Sequence, residues 1–158
     1  MSHARFFALA FALLFTTSCS TPVDLKQALQ VTDVSSGYFD AGVTPEGANK
    51  LVPSVTFRLR DSSGNLSRVA LNIMFRVVAS SEDIDEIFKQ RIDFANGQTD
   101  LLTLRSQTGF TGTPPQSRLD MLKNSNFRDL EVVILVRQVS AQWLELHRIP
   151  IERQLLTK

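Results

Sequence analysis

VTFRLRDSSGNLSRVALNIMFRV, residues 55–77, holds two runs in which apolar and polar side chains alternate. The apolar positions of the two runs are Val55, Phe57 and Leu59, then Val69, Leu71, Ile73, Phe75 and Val77. A period of two is typical of a strand with one buried face. Turn-forming residues at 61–65 separate the runs. We therefore predict an antiparallel hairpin whose odd-numbered apolar residues share one core.

The segments on either side of this hairpin also favour strands. A first strand is predicted from Leu29 to a turn at 40–42, at the edge of a sheet. After the hairpin, an acidic turn at 81–86 is predicted to lead into a strand at 87–94, where the pattern also fits a short helix. Farther on we predict a short strand at 101–104, a loop at 108–115, a short helix at 116–123 with proline in its first turn, a central strand at 130–136 and an edge or bulged strand at 142–151.

These elements predict an all-β fold. About seven strands with one short helix are typical of an antiparallel immunoglobulin-like β-sandwich, here over residues 29–158. The chain has one cysteine, so the core must hold without an internal disulfide. The predicted core consists of Val55, Phe57, Leu59, Leu71, Ile73, Phe75, Val132, Ile134, Val136 and Trp143.

Residues 1–18 are predicted to be a signal peptide. The segment has the order of a secretory signal. One cation near the start is followed by ten consecutive apolar residues (FFALAFALLF, 6–15) and then by the small residues TTS (16–18). The apolar run is about half of the roughly 20 residues that cross a membrane. The alternative is an ordinary signal peptide cut elsewhere, with Cys19 free or removed.

The short residues before Cys19 resemble the lipobox of bacterial lipoproteins, although Thr16 stands where that family prefers leucine. The resemblance implies cleavage before Cys19 and acylation of its thiol. Residues 19–28 would then be a lipidated tether, either extended or, over residues 24–29 at its junction with the domain, coiled into one helical turn. Ser20 after the cysteine implies the periplasmic face of the outer membrane if sorting follows that of enteric bacteria.

The composition excludes several classes of function. A formal net charge of +1 excludes the basic field that nonspecific nucleic-acid binding needs, so no nucleic acid is expected as a partner. Two histidines and one cysteine are too few for a usual zinc site, and no metal or other cofactor is predicted. The sequence has no G-x-S-x-G motif, His147 stands alone, and the acidic residues Asp83, Asp85 and Glu86 lack the order of a calcium loop. We predict that the protein is not an enzyme.

A resemblance extends over much of the chain. Five segments together resemble a group of small bacterial envelope lipoproteins with no assigned activity. They are the leader with Cys19, VTDVSSGYFDAG (31–42), residues 51–59, LRSQTGFTG (104–112) and SAQWLELHRIPIERQL (140–155). More loosely, the strand pattern is similar to immunoglobulin-like domains of the FxLYD and LEA types. The resemblance implies a fold and a location and no catalytic residue.

Two kinds of surface are candidates for binding a partner. Phe110 lies between Gly109 and Gly112, where it would either face a partner or cover the end of the sandwich. Arg58 and Arg60, with Arg68 and Arg76, would share one exposed face near the hairpin and attract anionic headgroups or polysaccharide.

The sequence thus predicts a membrane-anchored periplasmic lipoprotein that binds or assembles with another envelope component, expected to be a protein. It would use an exposed strand edge or the loops at one end. The alternative is a carrier of a lipid or another small hydrophobic ligand. A cleft lined by Met74, Val78 and Phe94 would favour the carrier.

Overall fold

The computed structural model describes residues 23–114, 116–138 and 141–156. The predicted signal peptide, Cys19, the first part of the tether and Pro115 lie outside them. The elements are α1 (Leu25–Ala28), β1 (Leu29–Val43), β2 (Asn49–Asp61), β3 (Arg68–Val77), β4 (Asp83–Asp93), β5 (Leu102–Arg105), β6 (Phe110–Gly112), α2 (Arg118–Lys123), β7 (Leu130–Arg137), β8 (Leu144–Pro150) and β9 (Leu155–Leu156). The all-β prediction is confirmed, with nine strands and two short helices in these residues.

The strands form two sheets. The first has the order β5-β2-β1-β9, with β6 also paired to β2, and the second has the order β4-β3-β7-β8. All pairs are antiparallel except β1 with β9. The central position of β7 and the edge position of β8, with its bulge, are as predicted. The prediction of β1 as an edge strand is wrong at Tyr38 and Phe39, where β9 pairs with it.

The predicted hairpin is wrong, because β2 and β3 belong to different sheets. A period-two pattern specifies the buried face of a strand and leaves its neighbour open. The loop after β2 is shaped by the Asp61 carboxylate, which accepts hydrogen bonds from the Ser63 N–H and hydroxyl at 2.9 and 2.6 Å and from the Leu66 N–H at 2.8 Å. The chain then crosses to the opposite sheet, so the two apolar faces meet across the core.

Nine of the ten predicted core residues are buried. Val55, Phe57, Leu59, Leu71, Ile73, Phe75, Val132, Ile134 and Val136 are all 0% exposed. Trp143 is the exception: it precedes β8 and contacts Phe88 and Arg137 outside the core. Trp143 lies one residue before the strand, and its ring packs on Phe88 and Arg137 on the outer side of the second sheet.

Several local predictions also change. The acidic residues from Asp83 onward are part of β4, so the strand starts earlier than predicted and the competing helix is absent from this segment. The predicted loop at 108–115 contains β6. Helix α2 starts after Ser117, whose side chain and that of Asp120 form a capping box, so the helix begins later than predicted and Pro114 is not in its first turn. The tether contains one helical turn, α1, capped by Asp24.

The sandwich has two ends. The N-terminal end holds α1, the loop at 62–67, the start of β3 and the end of β7, and the Ser62 N–H donates to the Ala28 carbonyl there at 2.8 Å. The far end holds β6, α2 and the start of β7. The two ends differ in their distance along the chain from Cys19, which is close in sequence to the N-terminal end.

Candidate binding site

The outer face of the second sheet, which points away from the core, carries the strongest candidate for a binding site. On β3 the odd residues are buried and the even residues form the outer row, namely Arg68, Ala70, Asn72, Met74 and Arg76. Four of these side chains are long or polar and one is small. A gap in the row therefore lies at Ala70, close to the N-terminal end.

A β-bulge widens the gap at Ala70. The register of β3 and β4 shifts between Val69 and Leu71, so that Gln90 and Arg91 both lie opposite Ala70. Bulges change the direction of side chains and are over-represented next to functional sites. On the other side of β3, Arg137 of β7 is the partner of Ala70 in the ladder.

These residues line a groove with a volume of about 640 Å³. We call it the arginine groove; its lining consists of Arg68, Val69, Ala70, Gln90, Arg91, Arg137 and Gln138. Its volume is within the range of small-ligand sites, about 300–1,000 Å³. Three guanidinium groups and two side-chain amides make its chemistry that of a hydrogen-bond donor to anions.

The positive charge of the groove is neutralised only in part. The Arg91 Nε lies 2.8 Å from an oxygen of Asp93, and both side chains are well exposed. Among the residues that the structure describes, Arg68 and Arg137 have no carboxylate oxygen within 4.0 Å. The groove therefore keeps a local positive charge in a chain that is close to neutral overall.

An aromatic pair lies beside the groove. The rings of Phe88 and Trp143 meet edge to face with centroids 5.9 Å apart, and the Arg137 guanidinium lies 4.5 Å from the Trp143 ring centroid. Phe88 is 50% exposed. The cation–π contact holds the guanidinium of Arg137 in place beside the groove.

The remainder of the outer face is electrostatically balanced. Arg148 contacts Glu131 and Glu145 at 2.7 Å each, and the hydrogen bond that it donates to Glu145 is the main reason why the pKa of Arg148 is raised. Arg76 is paired with Asp83 at 2.7 Å. The arginine groove is thus the part of this face where cations exceed anions.

Asn72 lies between the aromatic pair and the balanced region. Its Nδ2 donates to Glu86 Oε1 at 2.6 Å, and its Oδ1 is buried without a donor in the described part of the chain. An unsatisfied buried acceptor costs about 1–3 kcal/mol. The fold therefore tolerates a destabilising polar atom on the outer face of the second sheet.

The predicted arginine face does not form. Arg58 and Arg60 lie on β2 in the first sheet, whereas Arg68 and Arg76 lie on β3 in the second. The Arg58 guanidinium is 3.1 Å from Asp33 and donates to the Thr99 carbonyl at 3.2 Å. This error has the same cause as the hairpin error, since the four arginines could share a face only if β2 and β3 were neighbours.

Phe110 covers the far end of the sandwich. Its ring centroid is 4.6 Å from that of Phe127 and 6.1 Å from that of Tyr38. One edge of the ring borders a cleft of about 360 Å³ lined mostly by uncharged residues. Of the two predicted roles, cover and contact to a partner, this geometry supports the cover.

The acidic residues of β4 have structural partners. Asp85 accepts hydrogen bonds from the Ser106 hydroxyl at 2.7 Å and the Gln107 N–H at 2.6 Å, which connects the second sheet to the chain after β5. Burial raises the pKa of Asp85, but these hydrogen bonds outweigh it and leave the pKa below its usual value. Within residues 23–114, 116–138 and 141–156 no group of three or more potential ligands could hold a metal ion, and His147 is exposed on β8.

Sequence reasoning missed the arginine groove. The signal available was the outer row of β3, in which one alanine stands among longer side chains. The bulge, which depends on how β4 pairs with β3, has no such signal. Comparison of the chain with family models, with curated proteins and with solved structures found no match. None of the helices in the described ranges is long and apolar enough to cross a membrane.

Proposed function

We propose that this protein is a lipid-anchored envelope protein whose β-sandwich is a non-enzymatic module that binds another envelope component through the arginine groove. One observation supports the groove as the binding site. The guanidinium groups of Arg68 and Arg137 border the same groove, have no carboxylate partner in the described residues, and lie beside an aromatic pair. The anchor is proposed from the leader and Cys19, and the periplasmic face of the outer membrane from Ser20.

The immunoglobulin-like identity of the sandwich is part of this proposal. The two antiparallel sheets with the order β4-β3-β7-β8 and β5-β2-β1 support it. The carrier alternative is weaker. Val78 and Phe94 are near opposite ends of β3, as Val78 follows that strand and the Phe94 N–H donates to Ser67 just before it. The residues expected to line a single cleft are therefore far apart.

Anchoring is tested by Cys19→Ser in cells that express the full chain. We expect the wild-type protein to fractionate with membranes and to gain the mass of acyl groups on Cys19. The variant should appear in the soluble periplasmic fraction or remain as an uncleaved precursor. Identical fractionation and migration of the two forms would refute the anchor.

The binding surface is tested by photo-cross-linking in the same cells. A photoreactive residue at Gln90, which lines the groove, should give an adduct that Arg68→Gln weakens. The matched control is Gln107, which is also exposed but lies near the far end, where it donates to Asp85. No adduct from Gln90, or equal adducts from both positions, would contradict the groove as the binding surface.

A further inference from the structure

We propose that the arginine groove binds the phosphate of an anionic lipid headgroup in the membrane that holds the anchor. This inference rests on the proposed anchoring through Cys19 and names the ligand of the groove. Its basis is the position of the groove relative to the anchor, together with the charge and aromatic content of its surroundings.

The groove lies at the end of the sandwich that the anchored chain approaches. Arg68 opens β3 six residues after Ser62, which is hydrogen-bonded to Ala28 at the end of α1. β7 ends at Arg137 at the same end of the sandwich, and Gln138 follows it. Four residue steps separate Cys19 from Val23, where the described chain begins and packs against the core. Fully extended, these steps span about 14 Å. The N-terminal end is therefore held close to the headgroup layer.

The chemistry of the groove matches a phosphate at an interface. Guanidinium groups bind phosphate oxygens with two parallel hydrogen bonds, and the amides of Gln90 and Gln138 add donors. Trp143 and Phe88 stand beside the cations, and the amphipathic ring of tryptophan favours the headgroup level of a membrane. Arginine and tryptophan together thus recognise a charged group next to an apolar layer.

The anchor also favours a lipid over a soluble ligand. A tethered groove meets headgroups at a high effective concentration, whereas a free phosphate gains nothing from the tether. The mature chain would have no net charge, so no long-range field draws the whole domain to an anionic surface. Discrimination between anionic and neutral membranes must then come from local groups such as Arg68 and Arg137.

The test uses the single tryptophan of the chain as a reporter. The lipidated protein is reconstituted into vesicles of phosphatidylcholine alone or of phosphatidylcholine with increasing phosphatidylglycerol, and the emission of Trp143 is recorded. We expect a blue shift that appears with phosphatidylglycerol and fades in high salt. Arg68→Gln should raise the phosphatidylglycerol fraction at half-maximal shift, with roughly fivefold weaker binding.

The matched control is Arg128→Gln. Arg128 lies at the far end, where it is 3.4 Å from Glu82 and exposed, so its loss should leave the titration unchanged. Equal shifts in neutral and anionic vesicles, or equal effects of the two substitutions, would overturn the inference. The same shift from glycerol 1-phosphate added to neutral vesicles would overturn the lipid as the source and assign the groove to a soluble phosphate.

A failure of the anchor is distinguishable from a failure of the groove. Mass spectrometry of the purified protein shows whether Cys19 carries acyl groups. An unacylated protein overturns the proposed anchoring and this inference with it. An acylated protein whose Trp143 emission ignores phosphatidylglycerol overturns this inference alone. A protein adduct at Gln90 in place of a lipid adduct would do the same.

Discussion

At Asn72 the second sheet holds a buried acceptor, Oδ1, that has no donor among the described residues. We predict that Asn72→Leu leaves the free energy of unfolding unchanged or raises it by up to about 1 kcal/mol, because replacing an unsatisfied group by an apolar one removes its desolvation cost. Asn49→Leu is the control, since the Nδ2 of Asn49 donates to the Gln116 carbonyl at 2.9 Å. Denaturant unfolding should show a loss for Asn49→Leu, and a comparable loss for Asn72→Leu would contradict the prediction.

Asp61 makes the stability depend on pH in the acid range. Burial raises its pKa, but the hydrogen bonds from the Ser63 hydroxyl and from backbone N–H groups including that of Leu66 outweigh burial and leave the pKa below 3.8. A carboxyl group with a lowered pKa in the folded state stabilises the fold above its unfolded pKa, and this stabilisation is lost as the pH falls through the lowered value.

We therefore predict that Asp61→Asn lowers the free energy of unfolding by about 1–3 kcal/mol at pH 7. The difference between the two proteins should narrow below a pH of about 3.8, the unperturbed value. Thermal unfolding between pH 2 and pH 7 measures it. A difference that stays constant over this range would mean that the charge of Asp61 does not stabilise the loop.

At the scale of the strands, β2 and β3 both contribute buried residues to one core from opposite sheets. Phe57 and Phe75 are both 0% exposed. We predict that Phe57→Ala and Phe75→Ala each cost about 3–5 kcal/mol in denaturant unfolding, as truncations of buried aromatic residues do. A loss below about 1 kcal/mol for either would mean that its strand does not face the core.

The stability of the fold also depends on Phe110 in β6, although less than on Phe57 and Phe75. The ring packs against Tyr38 and Phe127 and is partly buried. We predict that Phe110→Ala costs about 2 kcal/mol, less than a fully buried ring. Phe88→Ala is the matched control, because Phe88 is 50% exposed and should cost less than about 1 kcal/mol. A Phe110→Ala variant as stable as wild type would restore the loop as a candidate for contact with a partner.

The faces of the strands could be predicted from the sequence, while their neighbours could not. Alternation identified the predicted core residues of β2 and β3, because burial of one face is recorded in each strand by itself, and a continuous β-branched run identified those of β7. Pairing is a property of two strands, which is why β2 and β3 were wrongly joined and the four arginines were placed together. Three features of the arginine groove are set by which strands are neighbours. They are the position of Ala70 beside Arg137, the bulge at Gln90, and the contact of Trp143 with Phe88.

For the whole molecule, the two ends of the sandwich differ in chemistry. The far end is covered by aromatic rings and by Arg153, which donates to the Leu122, Asn124 and Phe127 carbonyls and so holds the chain after α2. The N-terminal end carries the groove, where Arg68 and Arg137 have no carboxylate partner among the described residues. An anchor at Cys19 would therefore leave the rigid, covered end facing away from the membrane.

The bulge in β4 has a second consequence, for the behaviour of many copies together. Proteins anchored in one leaflet are confined to two dimensions, and β4 is an edge strand of eleven residues whose outer N–H and C=O groups offer a template to a neighbouring copy. An extra residue twists such an edge and interrupts its ladder. The ladder of β4 with β3 is shifted at two places, opposite Ala70 and between Phe75 and Arg76. Deleting Gln90 would restore a regular register opposite Ala70. We predict that this deletion produces oligomers in sedimentation velocity under conditions where the wild type is monomeric, and a monomeric variant would contradict it. The bulge at Gln90 would then both line the proposed ligand site and help to keep neighbouring copies from joining edge to edge.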